Sequence, residues 1–363
     1  MTGKAFSFRC VSLTVFVTTI LSPFFIEEAF GQHQASSVYE SERVEASIEA
    51  GLAYLHTVQK ADGSYPEKYG NNGGISALAG MAFLAKGYTP DSQPYGENIV
   101  RSVKYILNIA SDGGYFGTVN NDNGQMYVHS ICTLFLSEVS GMVEPELQYR
   151  LDEVLPKANK ILLDAQNIKK DQNHKGGWRY RPNSKDSDMS CSGWALMALR
   201  SCRLNGGLVP PDAIDRAVEY VKRHQNKEHG FFMYQVGNNS GQSTLSGAGI
   251  LCLELCGQHN DPVSLRAAGY LLKNFRQLER ASNKYYGLYY ASQGLFQIGG
   301  EAWQSFSEWM YRVWIPKQKA DGSWRGSANE DSGPYSTSLV VLAFTVPFRQ
   351  LPIYQRDETV DEE

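Results

Sequence analysis

Two kinds of apolar pattern alternate between about Val44 and Pro347. Segments such as Ile214-Asp215-Arg216-Ala217-Val218-Glu219-Tyr220-Val221-Lys222 set apolar residues three and four apart with charges between them. That period predicts a helix with one face in solvent. Segments such as Gly247-Ala248-Gly249-Ile250-Leu251-Cys252-Leu253-Glu254-Leu255 are apolar nearly all round and predict a buried helix. Six such pairs follow one another. Their expected turns place Gly before an aromatic ring: Gly63-Ser64-Tyr65, Gly113-Gly114-Tyr115, Gly176-Gly177-Trp178, Gly230-Phe231, Gly287-Leu288-Tyr289 and Gly322-Ser323-Trp324. The buried helices are expected to begin near Gly74, Tyr127, Asp188, Thr244, Tyr290 and Tyr335. They should end on Gly87, Gly141, Gly206, Gly257, Gly299 and Pro347.

The first and last units carry nearly the same heptapeptide. Gln59-Lys60-Ala61-Asp62-Gly63-Ser64-Tyr65 returns as Gln318-Lys319-Ala320-Asp321-Gly322-Ser323-Trp324. Solvated helices outside buried ones make either an open solenoid, which needs polar caps at its ends, or a closed ring. Neither terminal unit reads as a cap, so the pattern predicts closure. The expected fold is all-α, an (α/α)6 barrel of six helical hairpins.

Gln-x-x-Asp-Gly-Ser followed by Tyr or Trp and then an apolar helix resembles the QW-type repeat of the prenyltransferase and squalene-cyclase superfamily. The resemblance spans residues 44–350. It implies a stabilising role for Gln59, Tyr65, Gln318 and Trp324, which would tie neighbouring hairpins together.

The chain ends add compartment and boundaries. Lys4 and Arg9 precede an apolar run from Val11 to Ile26, and Ala29-Phe30-Gly31 offers small residues for cleavage, so residues 1–31 read as an export signal. Retention of the segment as a membrane anchor is the alternative. The run is short for a span, and no other span is expected once it is removed. Residues 32–43 read as a linker and 351–363 as an acidic tail. The protein is therefore expected to be secreted or periplasmic.

A net charge of −4 over 363 residues, with no basic stripe, excludes nucleic acid as a partner. Five cysteines remain beyond the signal. That number is odd, and four of the five lie in apolar helical stretches, the pattern of buried free thiols and not of a disulfide framework.

In a closed ring, the first turns of the inner helices face one mouth of the cavity. Polar and aromatic residues near those turns are the candidates for chemistry: His129 and Tyr127, Asp186 and Asp188, Gln242, and Tyr335. Asp186-Ser187-Asp188-Met189 resembles the Asp-x-Asp-Asp motif of class II terpene cyclases, whose middle Asp protonates a double bond or epoxide. Met189 stands where that motif has its last Asp, and such cyclases place the site between two barrels, for which this chain has no length. The resemblance implies Asp188 as the acid and Asp186 as its partner, with Trp178, Tyr180 and Trp194 facing a developing cation. The plain alternative is that the two aspartates cap a helix.

Three other resemblances bear on the chemistry. The β-subunit of protein prenyltransferases binds zinc through Asp-x-Cys and a later His. Asp188 and Cys191 are three apart and lack that His, so no metal or other cofactor is expected. Cys256-Gly257-Gln258-His259 lacks the Gln of a thioester motif. His174-Lys175-Gly176-Gly177-Trp178-Arg179-Tyr180 is a basic and aromatic loop of the kind that sugar-cleaving (α/α)6 enzymes use. The leading expectation is a protein binding or cyclising an isoprenoid in the barrel. The alternatives are a carbohydrate-active enzyme and a non-catalytic module with a protein partner.

Overall fold

The structure is a computed structural model and describes residues 23–66, 73–117, 125–326, 330 and 332–354. Most of the expected export signal, residues 1–22 of it, and residues 355–363 of the expected tail lie outside the described residues. Helix α1 runs Pro23–Val58. Residues up to Arg43 form one unit, and Val44 begins a second that carries helices α2 to α12. The stretch expected as a linker, 32–43, is helical.

The described elements after α1 are helices α2 (Gly73–Lys86), α3 (Gly96–Ile109), α4 (Gln125–Val139), α5 (Pro145–Asn167), α6 (Met189–Leu204) and α7 (Pro211–Arg223). There follow α8 (Gln242–Leu255), α9 (Pro262–Asn274), α10 (Lys284–Ile298), α11 (Gly300–Trp314) and α12 (Gly333–Phe344). No strand occurs among the described residues, only two isolated β-bridges. The even-numbered helices pack on one another in sequence, and α12 returns to pack on α2, so the inner ring is closed. The odd-numbered helices lie outside. This is the (α/α)6 toroid that the alternating pattern predicts.

Burial follows the pattern residue by residue. In α8 every residue except Gln242 is buried, whereas α7 buries only Ala213, Ile214, Ala217, Val218, Tyr220 and Val221. The first five inner helices are each followed within two residues by a glycine with positive φ (Gly87, Gly141, Gly206, Gly257 and Gly299). The fifth hairpin departs from expectation. Gly287-Leu288-Tyr289 lies inside α10, which begins six residues before Tyr290. A Cβ on Gly287 would stand 2.7 Å from Leu278 and 2.8 Å from Thr244, so this glycine lets α10 approach its neighbours and makes no turn. The chain turns at Ala281–Asn283, after a 3-10 helix over Phe275–Arg280.

A recurring glutamine fastens an outer helix to the next at four places around the ring. Gln318 Nε2 donates to the carbonyl of Gly322 in its own turn, at 2.9 Å, and to that of Ser47 in α1, at 2.8 Å. Ser47 Oγ returns a bond to Gln318 Oε1 at 2.8 Å. Last hairpin and first are thereby joined. Gln59 bridges Gly63 and Asn98 in the same way. Two glutamines not singled out from the sequence repeat the device: Gln166 bridges Gly176 and Ala213, and Gln225 bridges Gly230 and Val263. The turn must lie against the next helix, and at Gly176 (φ 93°) a Cβ would sit 2.3 Å from the Arg216 carbonyl.

Cys132, Cys191, Cys202 and Cys252 are buried free thiols, and Cys256 is a half-buried one. The packed core continues into the expected tail: Leu351, Ile353 and Tyr354 are all buried.

Candidate functional site

The mouth of the ring is built by the same register that closes it. Past three of the turns, the backbone N–H of one aromatic residue is accepted by a hydroxyl on the following inner helix. Trp178 bonds Ser192 at 2.9 Å, Phe232 bonds Ser246 at 3.1 Å and Trp324 bonds Thr337 at 3.1 Å. Two residues on from Trp178 and Phe232 stand Tyr180 and Tyr234. Their carbonyls accept N–H bonds from the first turns of the preceding inner helices, Met126 to Tyr180 (3.1 Å) and Met189 to Tyr234 (2.9 Å). Helix N-termini carry unsatisfied N–H groups, so this bond pins the loop over the helix end. The tyrosine ring is left beside the opening.

The result is a chamber of about 740 Å³. Its aromatic wall is Tyr127, Tyr180, Tyr234, Tyr286, Tyr335 and Trp194, with Ile131 and Leu245 between them. Burial raises the phenols of Tyr127, Tyr286 and Tyr335 well above their ordinary value, so they are neutral. The polar part of the wall is hydroxyl and amide: Ser190, Asn238, Ser240, Thr244, Ser282 and Asn283. No carboxylate lines it among the described residues.

Asp188 stands directly behind that wall. It is fully buried and is the N-cap of α6, its Oδ1 accepting the N–H of Cys191 at 2.8 Å. The same oxygen accepts the hydroxyl of Ser190 at 2.6 Å, and Ser190 faces the chamber. Tyr127 shares a short hydroxyl contact with Ser190. The other oxygen, Oδ2, pairs with Arg179 Nη1 at 3.1 Å. Arg179 also reaches Asp186 (Nε to Oδ2, 3.3 Å) and Tyr234 (3.1 Å to the hydroxyl), and lies 4.4 Å over the Tyr180 ring. Burial pushes the Asp188 carboxyl up, against Ser190, the Cys191 N–H and Arg179, which all favour its ionised form. Asp186 is half exposed and touches only the far edge of this guanidinium.

Three sequence candidates take other places. His129 is buried with both ring nitrogens engaged: Nε2 bonds the Ala158 carbonyl at 3.0 Å and Nδ1 accepts the Phe116 N–H at 3.4 Å. Burial lowers its pKa to about 4, so it is a neutral core histidine and leaves the catalytic set. Trp178 is buried between α5 and α6, donating from Nε1 to the Leu162 carbonyl at 2.8 Å, as Trp324 donates to Trp314. It braces hairpins and does not face the chamber. Gln242 points to a separate outer groove, where Tyr270 donates to it at 3.0 Å. Tyr127, Tyr180, Trp194 and Tyr335 do line the chamber. Sequence reading missed Ser190, Tyr234, Tyr286 and the linking role of Arg179. Register alone would have found Tyr234, since it follows Phe232 as Tyr180 follows Trp178.

No family model matches the chain, and no characterised protein matches it by sequence. Solved structures do match. A variant of the type II terpene cyclase MstE from Scytonema, in complex with its product merosterolic acid A, aligns at TM-score 0.58 and 12% identity, over 86% of this chain and 99% of that one. A second MstE variant, in complex with its substrate geranylgeranyl dihydroxybenzoate, aligns at TM-score 0.57 and 13% identity, over 86% and 100%. The GH76A α-1,6-mannanase from Salegentibacter sp. HEL1_6 aligns at TM-score 0.59 and 11% identity, over 84% and 99%. The chain has the toroid fold these proteins share.

Proposed function

We propose that the chamber binds an isoprenoid-like apolar chain. The observation that carries this reading is its wall: six aromatic side chains, hydroxyls and amides, and no carboxylate among the described residues. Such a wall removes apolar surface from water and presents π faces to positive charge. The likeness to a terpene cyclase holding its substrate and product supports it.

Cyclisation is the further step within this proposal, with Asp188 as the acid. The proton would travel through Ser190. With Asp188 in its acid form the Ser190 hydroxyl would turn from the carboxyl to the substrate. As the substrate's π pair forms a C–H bond with that hydroxyl proton, Asp188 hands its own proton to Ser190 Oγ across the 2.6 Å contact. The carboxylate left behind is held by Arg179, and the cation faces Tyr127 and Trp194 until it returns a proton through Ser190 to Asp188, which restores the acid. Export directed by residues 1–31 belongs to the same proposal and rests on the basic residues Lys4 and Arg9 ahead of the apolar run Val11 to Ile26. Among the described residues no helix is long and apolar enough to cross a membrane.

The test is native mass spectrometry with geranylgeranyl dihydroxybenzoate and geranylgeraniol, followed by product analysis. Binding by the wild type, with turnover lost in Ser190→Ala while occupancy is kept, is the expected result. Binding without turnover would make the protein a non-catalytic module. No binding of any isoprenoid would refute the proposal. A carbohydrate-active reading has the mannanase likeness behind it, but sugar cleavage requires two carboxyls facing the substrate. Here Asp186 and Asp188 both face Arg179 instead.

A further inference from the structure

Beneath the chamber the ring is filled from its other end. Trp194 closes the chamber and stacks on Tyr289, with centroids 5.4 Å apart and planes 7° from parallel. Tyr290 packs edge-on against both rings, at 5.3 Å and 4.9 Å. The Tyr289 hydroxyl meets that of Tyr354, sixty-five positions along the chain. Tyr354 belongs to a short 3-10 turn, Pro352–Tyr354, that packs against α6.

That turn is firmly held. Glu138 accepts the Ile353 N–H at 3.1 Å and the Ser201 hydroxyl at 2.5 Å. Gln297 donates to the Tyr354 carbonyl at 3.0 Å. Leu351 is 2% exposed and Ile353 is not exposed at all. Glu138, Ser201 and Gln297 sit in the last turns of α4, α6 and α10, the end of the ring opposite the mouth. An apolar segment and two buried hydrogen-bonded anchors thus stand under the ring that ends the chamber.

We infer that Leu351–Tyr354 is a plug that floors the chamber, and that through Tyr289 and Trp194 it sets the longest chain the chamber admits. The ligand named here rests on the isoprenoid reading; the floor itself is a statement about packing. Trp194 is the residue the chain end meets, and Tyr354 is a positioning residue that keeps Tyr289 from yielding. Removing the Tyr354 ring leaves a void under Tyr289, into which the Tyr289–Trp194 stack can drop.

The experiment compares full-length wild type with Tyr354→Ala and the milder Trp194→Phe, each checked for helix content. The probes are geraniol, farnesol, geranylgeraniol and squalene, read as occupancy by native mass spectrometry. In parallel, crystals pressurised with xenon report the apolar space directly. Wild type should lose affinity beyond one chain length, and both variants should gain about tenfold for the next longer probe. In Tyr354→Ala, xenon should run from the chamber to the space under Tyr289. An unchanged length limit in folded variants overturns the inference. If no isoprenoid binds any of the three proteins, the functional reading fails and xenon decides the floor. Continuous xenon density supports the plug, and a sealed void or none overturns it.

Discussion

Replacing Asp188 by Ala and by Asn separates its two jobs. Ala removes the N-cap bond to Cys191, worth about 1 kcal/mol, and also strips a buried charge partner from Arg179. Arg179 keeps Asp186 and Tyr234, and its side chain is 20% exposed, so this second loss is about 2–3 kcal/mol and not the full cost of an orphaned buried charge. Ala should therefore cost about 3–4 kcal/mol. Asn can still accept from Cys191 and Ser190 but faces Arg179 with a donor, so it should cost about 2–3 kcal/mol. The gap between the two variants measures the cap. In an Arg179→Leu background the cost of Asn should fall below about 1 kcal/mol, because the pair it breaks is already gone. Urea unfolding followed by far-UV circular dichroism reads the wild type and all four variants. Equal losses for Ala and Asn would show that Asp188 does not cap α6. An undiminished loss in the Arg179→Leu background would show that the ion pair is not what Asp188 serves.

Other outcomes follow from the same contacts. Gln318→Ala leaves two carbonyls and the Ser47 hydroxyl without their partner at the ring closure, and should cost about 1–3 kcal/mol by urea unfolding, with Gln166→Ala similar; a loss under about 0.5 kcal/mol would refute the tie. Gly176→Ala meets the Arg216 carbonyl and should be much worse than Gly206→Ala, which has open space and pays only about 1–2 kcal/mol for its left-handed backbone; equal losses would sink the close-approach argument. Burial raises the Glu138 carboxyl from the ordinary 4.5 to about 7, so the folded state holds that proton more tightly than the unfolded chain does, and this contribution is present at low pH and lost as pH rises from about 4.5 to about 7. Buried His129 and His224, both lowered to about 4, run the opposite way over much of that window. The measurement is therefore the difference between Glu138→Gln and wild type, which should move in favour of Gln as pH rises; a flat difference would mean Glu138 does not titrate there.

The ring was legible because its signals are periodic and local. Outer helices must carry one solvated face and inner helices none, and Gln59 and Gln318 sit in nearly identical heptapeptides. Gln166 and Gln225 do the same work but were not recognised, because the turns that follow them differ in length and lack the Asp-Gly-Ser sequence. Gly287 departs from expectation for a related reason: glycine before an aromatic ring marks a turn in five hairpins, but in α10 it answers to neighbouring elements that no local window contains. His129 and Trp178 have side chains typical of active sites. What assigns them to the core is a set of carbonyls, those of Ala158 and Leu162, contributed by a different helix. Ser190 drew no notice because serine is common at helix starts; only the placement of Asp188 behind it makes it the polar group facing the chamber.

Fold and site share one set of bonds, and this constrains how the chemistry can vary. Tyr180 and Tyr234 follow their aromatic anchors by two residues, and the loop carbonyl of each is taken up by the previous inner helix. Moving Tyr180 or Tyr234 off the opening would require breaking a helix-end bond to Met126 or Met189. Changing the ring's side chain costs no such bond. The backbone frame of the mouth is thus fixed by folding, while the chemistry it presents depends on which residue occupies the position two past each anchor. Asp188 sits at the intersection, because one oxygen starts α6 and touches Ser190 while the other holds the arginine that lies over Tyr180. A substitution there acts on stability and on the chamber wall together, whereas Ser190→Ala touches the wall and leaves the cap to Cys191 in place.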